Sequence, residues 1–427
     1  MAGDYPILNN YKTGAPVTDG KVGHLTASQE QKLKQMWTKI LNHFVDHKDK
    51  PIAVPADPFK AGDLAELDDT PAAVSQWYSA NKTRIDNIKY KTVSDALYLS
   101  GKTSAVVPKD FRPLFGDRPG SRSFRNAFWQ AAMSHQHPDS FPLAFLIARE
   151  WDVDRAFQLL VGAVEWRAAH AMDKLVWQGE ATMNMRMMER GLTYVPGKDK
   201  LGCPLLVVRV HENIPREHGE GFGEKYTAFA MEQASLITRA NGERATLVYD
   251  MSSFKMENID YGFVKTIITM NNTIYPETFQ LIIVYVNSWL FSGIWKLISP
   301  WFDPIIAKRI VFAKNVQQLQ AYIDIGQIPE EMGGKKKFKR EHPMPTRQEN
   351  EPMFDAAARD AAEKNFVAAV DAFEASTGGW IKDNEEPLRG EVADTFKKSV
   401  AELDPYIRAR FLAERKGEMT AEGSLVV

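Results

Sequence analysis

The run TFQLIIVYVNSWLFSGIW, Thr278–Trp295, holds eighteen residues and no Asp, Glu, Lys, Arg or His. That length sits at the lower limit for a membrane-spanning helix, which takes about 20 mostly apolar residues. Its composition argues for a division in two. QLIIVYVN, Gln280–Asn287, is dense in β-branched residues and runs into a polar pair, Asn287-Ser288. A strand buried on both faces of a sheet needs such a continuous apolar run. The second half continues past Lys296 into LISPWF, Leu297–Phe302, and reads as a helix. Neither half alone is long enough to cross a bilayer.

The alternation repeats on both sides of this run. PLLVVRV (Pro204–Val210), ATLVYD (Ala245–Asp250) and KRIVFA (Lys308–Ala313) read as further strands. Lys225–Ala240, closed by Gly242 as a C-cap, and Tyr261–Ile274 read as the helices between them. This order predicts an α/β fold with a mostly parallel sheet and right-handed crossovers. Upstream, Asp152 is placed to cap a helix bearing Phe157, Leu160, Val164 and Trp166. Further upstream, Thr26 and Gln29 form a capping box before Leu33, Met36, Trp37, Ile40, Leu41, Phe44 and Val45, all at helical spacing. Lys48–Gly120 is rich in Pro, Asp, Gly and Ser and reads as a long linker. After Gly333-Gly334 come KKKFKR (Lys335–Arg340) and a Pro-rich stretch. Two helical segments follow: one with Phe366, Val370 and Phe373, stopping at Gly378-Gly379, the other with Val392, Phe396, Val400 and Leu403. They are expected to form a tail packed on the main domain.

Composition narrows the function classes. Lys plus Arg number 53 against 55 Asp plus Glu, so the net charge gives no global reason to bind nucleic acid. The single cysteine, Cys203, excludes an internal disulfide or a cysteine-rich metal site. MAGDYPILNN has neither a secretory nor a myristoylation pattern, so a cytoplasmic protein is expected. In HGEGFGEK, His218–Lys225, a dinucleotide loop would need glycine where Glu224 stands, and a flexible turn is the better reading. No Walker loop, G-x-S-x-G elbow or other nucleophile–base pattern occurs, so a binding protein is expected rather than an enzyme. His135 and His137 lack metal-ligating neighbours and read as surface or loop histidines. Met183, Met185, Met187 and Met188 read as core, with ligand contact as the alternative. In YPET, Tyr275–Thr278, a proline turn sets Glu277 at the edge of the sheet. Lys308, opening the next strand, is then within possible reach, as a surface salt bridge or a functional pair.

Four blocks together resemble the CRAL-TRIO lipid-transfer family, in its fungal phosphatidylinositol-transfer branch. They are FLIAREWDVDRAFQLLVGAVEWR (Phe145–Arg167), YVPGKDKLGCPLLVVRV (Tyr194–Val210), the stretch from Tyr275-Pro-Glu through Asp303-Pro to Phe312, and IPEEMGG (Ile328–Gly334). The resemblance spans about residues 124–334. It implies a CRAL-TRIO fold, with a mostly parallel sheet flooring an apolar lipid pocket closed by a gate helix, next to a helical N-terminal lobe. On that basis the chain divides into an N-terminal extension (1–122, with its helix at about 26–46 and then the linker), a helical module (123–180), a lipid-binding domain (181–334), and a basic linker with a helical C-terminal extension (335–427).

The resemblance also assigns roles. It implies that Arg149, Glu277 and Lys308 hold a phosphatidylinositol headgroup, with a family threonine replaced by Ile306. It implies that Trp295, Leu297, Ile298, Trp301 and Phe302 line the pocket or touch the membrane from the gate helix. Members that carry phosphatidylcholine use two hydroxyl residues at positions that are Ala245 and Leu247 here. Phosphatidylcholine is therefore not expected, and a more apolar second lipid such as a sterol or squalene is. The implied protein is a monomeric carrier with bound lipid as its only ligand and no cofactor. It would touch membranes transiently, at the endoplasmic reticulum, an endosome or a lipid droplet, helped by KKKFKR. A lipid-sensing scaffold or signalling regulator, and a haem-binding divergent member, are the alternatives.

Overall fold

The computed structural model describes residues 6–55, 58–59, 106–183, 188–215, 222–286, 291–337, 341–383 and 386–426. Most of the expected linker, Met185 and Met187 of the methionine cluster, the glycine loop before Phe222, the Asn287-Ser288 junction and the end of KKKFKR lie outside these residues.

In chain order the principal helices begin with α1 (Ile7–Thr13) and α2 (Ala27–Asp46). A short ladder of β1 (Ile52–Ala53) and β2 (Ser121–Arg122) leads to α3 (Phe124–Ala132), α4 (Ser140–Ala148), α5 (Val153–Ala169) and α6 (Met172–Gln178). Next come β3 (Thr193–Tyr194), β4 (Leu205–Arg209), α7 (Phe222–Ala240), β5 (Ala245–Asp250), α8 (Tyr261–Thr273) and β6 (Phe279–Tyr285). The chain then forms α9 (Phe291–Ile298), α10 (Pro304–Ala307), β7 (Ile310–Ala313) and α11 (Val316–Leu319). It ends with α12 (Ala356–Asp383), α13 (Glu386–Ile407) and α14 (Leu412–Arg415).

The five-stranded sheet has the order β3-β4-β5-β6-β7. β3 is antiparallel to β4, and the remaining pairs are parallel. Because the parallel strands follow one another in sequence order, crossovers of one hand put every connecting helix on the same face. That face carries Leu206, Leu247, Ile282 and Ile310 beneath α7, α8 and α9. The opposite face, with Leu205, Val207, Val248, Ile283 and Val311, is covered by Ile7 and Tyr11 of α1 and by Leu319, Ile323 and Met332. This double burial makes QLIIVYV apolar at nearly every position. Behind the sheet, Tyr11 donates to Asp199 Oδ2, which also accepts from Thr246 (2.7 Å) and Gln280 (3.2 Å).

The helical part assembles from segments far apart in sequence. The Thr26 capping box forms as expected, and Leu33, Met36, Trp37, Ile40 and Phe44 of α2 are buried. Val45 is a correction: it is 69% exposed, because the helix turns its last apolar position away from its neighbours. Asp152 caps α5 through the Arg155 N–H. The C-terminal helices pack on α2 and α3. Trp37 and Trp129 lie 5.7 and 5.8 Å from Phe373, and Trp129 lies 5.3 Å from Phe396. Within this aromatic cluster Asp139 accepts from Trp37 Nε1 at 2.7 Å and pairs with Arg389. Burial alone would raise the Asp139 carboxyl, but the Arg389 charge and hydrogen bonds outweigh it and hold it below its ordinary value.

The expected stop at Gly378-Gly379 is also corrected, since α12 continues to Asp383. Two glycines cost about 1 kcal/mol each in a helix interior. Trp380, the next residue, is buried and stacked under Arg389 at 4.2 Å, and it supplies the packing that offsets this.

Because Phe373 joins the tail to α2 and α3, Phe373→Ala should lower unfolding free energy by about 3–5 kcal/mol in urea titration. A loss below about 1 kcal/mol would show that the tail is not part of the core.

Candidate functional site

Between the sheet and the helices above it lies an apolar cavity of about 170 Å³. Its floor alternates along each strand: Leu206 and Val208 from β4, Leu247 and Tyr249 from β5, Ile282 and Val284 from β6. Intervening residues face the other way, as a two-residue repeat requires. Tyr226 and Ala230 of α7 and Val264 and Ile267 of α8 form one wall, while Phe291, Ile294 and Trp295 of α9 form another.

The residues singled out in sequence fall at different places. Trp295, Ile298, Phe302 and Leu247 line the cavity. Leu297 points outward and is 52% exposed. Trp301 is half-buried and its carbonyl accepts from Asn272 Nδ2 at 3.2 Å. Ile306 is half-buried against the core, and Ala245 is buried within it. Met183 and Met188 are core residues away from the cavity. Phe312, which the sequence did not single out, is 40% exposed and meets Trp295 edge-on at 5.0 Å.

At the Tyr275-Pro-Glu turn the fold brings together charges that the sequence paired otherwise. Glu277 adopts a left-handed backbone, φ 63°, a conformation uncommon for residues other than glycine. Its carboxylate pairs with Arg309, and its other oxygen lies 3.1 Å from Arg244 Nη2. All three side chains are at most 10% exposed. Glu277 thus meets Arg309 and Arg244, and not Lys308, which is exposed at the end of α10. The local sequence explains the shift: Asp303 caps α10 through the Ile305 N–H, and one further residue turns the chain so that Arg309 points inward. Asp303 also reaches Arg149 Nη1 at 3.5 Å. The segment Asp303–Arg309 therefore touches both Arg149 and Glu277. Arg244 and Arg309 were missed in sequence, although each directly precedes a strand run and is the charge that such a run would have to pair.

One residue before Pro276, Tyr275 donates to Glu232 Oε1 at 2.7 Å, and Arg167 of α5 forks onto the same carboxylate at 2.6 and 3.1 Å. This buried triad joins the helical part to the turn that carries Glu277. A polar cavity of about 60 Å³ adjoins it, lined by Lys21, His135, Arg244 and Glu277. Burial, aided by the Arg167 and Arg239 charges and opposed by Glu243, pushes His135 down to about 4. His135 and His137 lie half-buried in the turn between α3 and α4, a loop setting as expected, with their rings against Phe141 and Phe373. Among the described residues no group of three or more His, Cys, Asp or Glu is arranged to hold a metal ion. Among the same residues no helix is long and apolar enough to cross a membrane.

Residues 188–334 match the CRAL/TRIO domain. A CRAL-TRIO domain-containing protein of Schizosaccharomyces pombe is 27% identical over 423 residues, covering 96% of this chain and 94% of that one. The phosphatidylinositol transfer protein CSR1 of Eremothecium gossypii is 26% identical over 437 residues, covering 96% of this chain and 99% of that one. Both alignments run beyond the matched domain into the flanking helices.

Glu277→Gln would leave two buried guanidinium groups without their carboxylate and should destabilise the protein by about 3–5 kcal/mol. Glu277→Asp would lose less, and an unfolding midpoint unchanged by Glu277→Gln would overturn the clamp. His135 binds its proton less readily folded than unfolded, where its value is about 6.5. Its contribution is therefore complete above about 6.5 and falls as pH drops toward about 4, by at most about 1.4 kcal/mol per pH unit. His135→Gln should remove that part of the slope, read as the difference between the two proteins' urea curves at several pH values.

Proposed function

Starting from a chain whose residues 188–334 form a CRAL/TRIO domain, we propose that the protein is a non-enzymatic carrier of phosphatidylinositol between membranes. The observation that carries this is the apolar cavity enclosed between the sheet and α7, α8 and α9. Each methylene withdrawn from water gains about 0.8 kcal/mol, so an acyl chain needs a dry compartment while between bilayers. A wall made by the short helix α9, with Trp295 and Ile298 inward and Leu297 outward, suits a gate that opens against a lipid surface.

In this proposal the headgroup lies over the Asp303–Arg309 segment. Arg149 and Lys308 face the phosphate and the inositol hydroxyls, and Glu277 is held in place by Arg244 and Arg309. The apolar Ala245 and Leu247 offer nothing to a phosphocholine, so the second lipid is uncharged. The carrier works as a monomer in the cytoplasm and visits membranes transiently. Similarity to the protein named CSR1, a phosphatidylinositol transfer protein, supports the ligand class.

The test is movement of radiolabelled phosphatidylinositol between vesicle populations by the purified protein. Transfer is expected, and Ala230→Phe, which fills the cavity from α7, should reduce it at least about tenfold, the loss of about 1.4 kcal/mol of binding. Binding without transfer would identify a sensor or scaffold instead, and absence of both would sink the carrier.

A further inference from the structure

Across the cavity floor, register aligns Thr193, Val208, Tyr249 and Val284 as one row over four neighbouring strands. Tyr249 stands in the middle of that row, and its strand neighbours Val248 and Asp250 are 0% and 1% exposed. Tyr249 itself keeps part of its surface open. With Val208 and Val284 on either side and the helices above, that open surface belongs to the cavity it lines.

The other polar side chains deep in the cavity each form at least one bond, although the side-chain oxygens of Asn213 and Asn271 accept none, and Tyr261 at its edge is 41% exposed. Thr193 Oγ1 and the Tyr226 hydroxyl bond each other at 2.9 Å, Thr227 donates to the Gly223 carbonyl, and Asn271 donates to the Ile267 carbonyl. Asn213 and Asn258 each donate to the other's carbonyl. Asp260, the acid on the lining, caps α8. Among the described residues no partner is formed for the Tyr249 hydroxyl; burial alone acts on it, raising its pKa with no neighbouring charge or hydrogen bond contributing.

The chemistry of a fitting ligand follows from these facts. A phosphodiester or ammonium group would be unpaired here, because no described Lys or Arg lines the cavity and its carboxylate is committed. A pure hydrocarbon would leave the phenol oxygen without a partner in apolar surroundings. A long apolar body with one neutral oxygen function satisfies both demands, since a phenol donates to an ester carbonyl or exchanges a hydrogen bond with an alcohol.

We propose that Tyr249 is the polar anchor of the cavity and selects an uncharged lipid bearing an alcohol or ester oxygen as the second ligand. This rests on the carrier function proposed above. It separates two lipid classes that the apolar strand by itself leaves equal, a sterol and squalene.

The test uses the purified full-length protein and Tyr249→Phe, which removes one oxygen and keeps the ring. Radiolabelled cholesterol (alcohol), dioleoylglycerol (alcohol and esters) and squalene (no oxygen) are partitioned from vesicles onto each protein, with phosphatidylinositol as reference. The unsubstituted protein is expected to take up cholesterol or dioleoylglycerol in preference to squalene. The Phe variant should lose roughly three- to tenfold of that uptake, the worth of one net hydrogen bond, with squalene uptake not lowered. Loss for cholesterol identifies a sterol alcohol as a partner, and loss for dioleoylglycerol alone identifies an oxygen of the glyceride. Equal uptake of each lipid by both proteins, or preference for squalene by the unsubstituted one, overturns the anchor while the carrier stands. Uptake of none of the four lipids by the unsubstituted protein removes the carrier function and the anchor with it.

Discussion

One carboxylate sits at the start of three parallel strands. Arg244 immediately precedes β5, Glu277 lies two residues before β6, and Arg309 immediately precedes β7. The Glu277 clamp on both arginines, together with the Arg309 hydrogen bond to the Phe279 carbonyl at 2.9 Å, ties those strand starts to one point. An isolated buried charge is intolerable, so the three side chains must stay together or the strands must separate. The left-handed backbone at Glu277 is the local cost of aiming the carboxylate there. The registers above that point follow, including the row that carries Tyr249 across the cavity floor.

Strand order then decides where a ligand can sit. Sequential parallel strands leave all crossover helices on one face, so the other face must be closed by something else. Here α1 and the segment after β7 close it, with the Tyr11–Asp199–Thr246–Gln280 bonds among them. On the helical face α7, α8 and α9 stand off the sheet far enough to enclose a cavity. The N-terminal segment thus completes the back of the sheet, while α9 is thin and carries an outward Leu297.

The flanking helices belong to the same architecture. Trp37 from the N-terminal extension, Trp129 from the helical module, and Phe373 and Phe396 from the tail share one aromatic cluster. The Arg167–Glu232–Tyr275 triad carries that assembly to the turn bearing Glu277. A second buried anchor sits at Glu180, which accepts from Arg415 and from the Leu412 N–H and contacts His342, all supplied by the C-terminal part. Burial would raise the Glu180 carboxyl, but the Arg415 and His342 contacts reverse this and lower it.

Much of this was legible in the residues themselves. Periodicity and capping chemistry are local, so Thr26, Asp152 and the strands of QLIIVYVN and ATLVYD could be placed from neighbours in the chain. Double burial leaves its mark as an unbroken apolar run, which is why the eighteen-residue stretch divides into a strand and a helix. What lay beyond reach depended on contacts between distant segments. The partner of Glu277 turned on a single-residue difference in rotation, Arg309 in place of Lys308, at the end of a four-residue helix. Gly378-Gly379 read as a stop because glycine is a poor helix former, and only Trp380 packing against Arg389 shows why the helix continues. Tyr249 looked like any aromatic strand residue until register placed it under open space, with no hydrogen-bond partner among the described residues. Local chemistry determines which elements form; which charges meet, and which hydroxyl faces the cavity, is decided only when those elements pack.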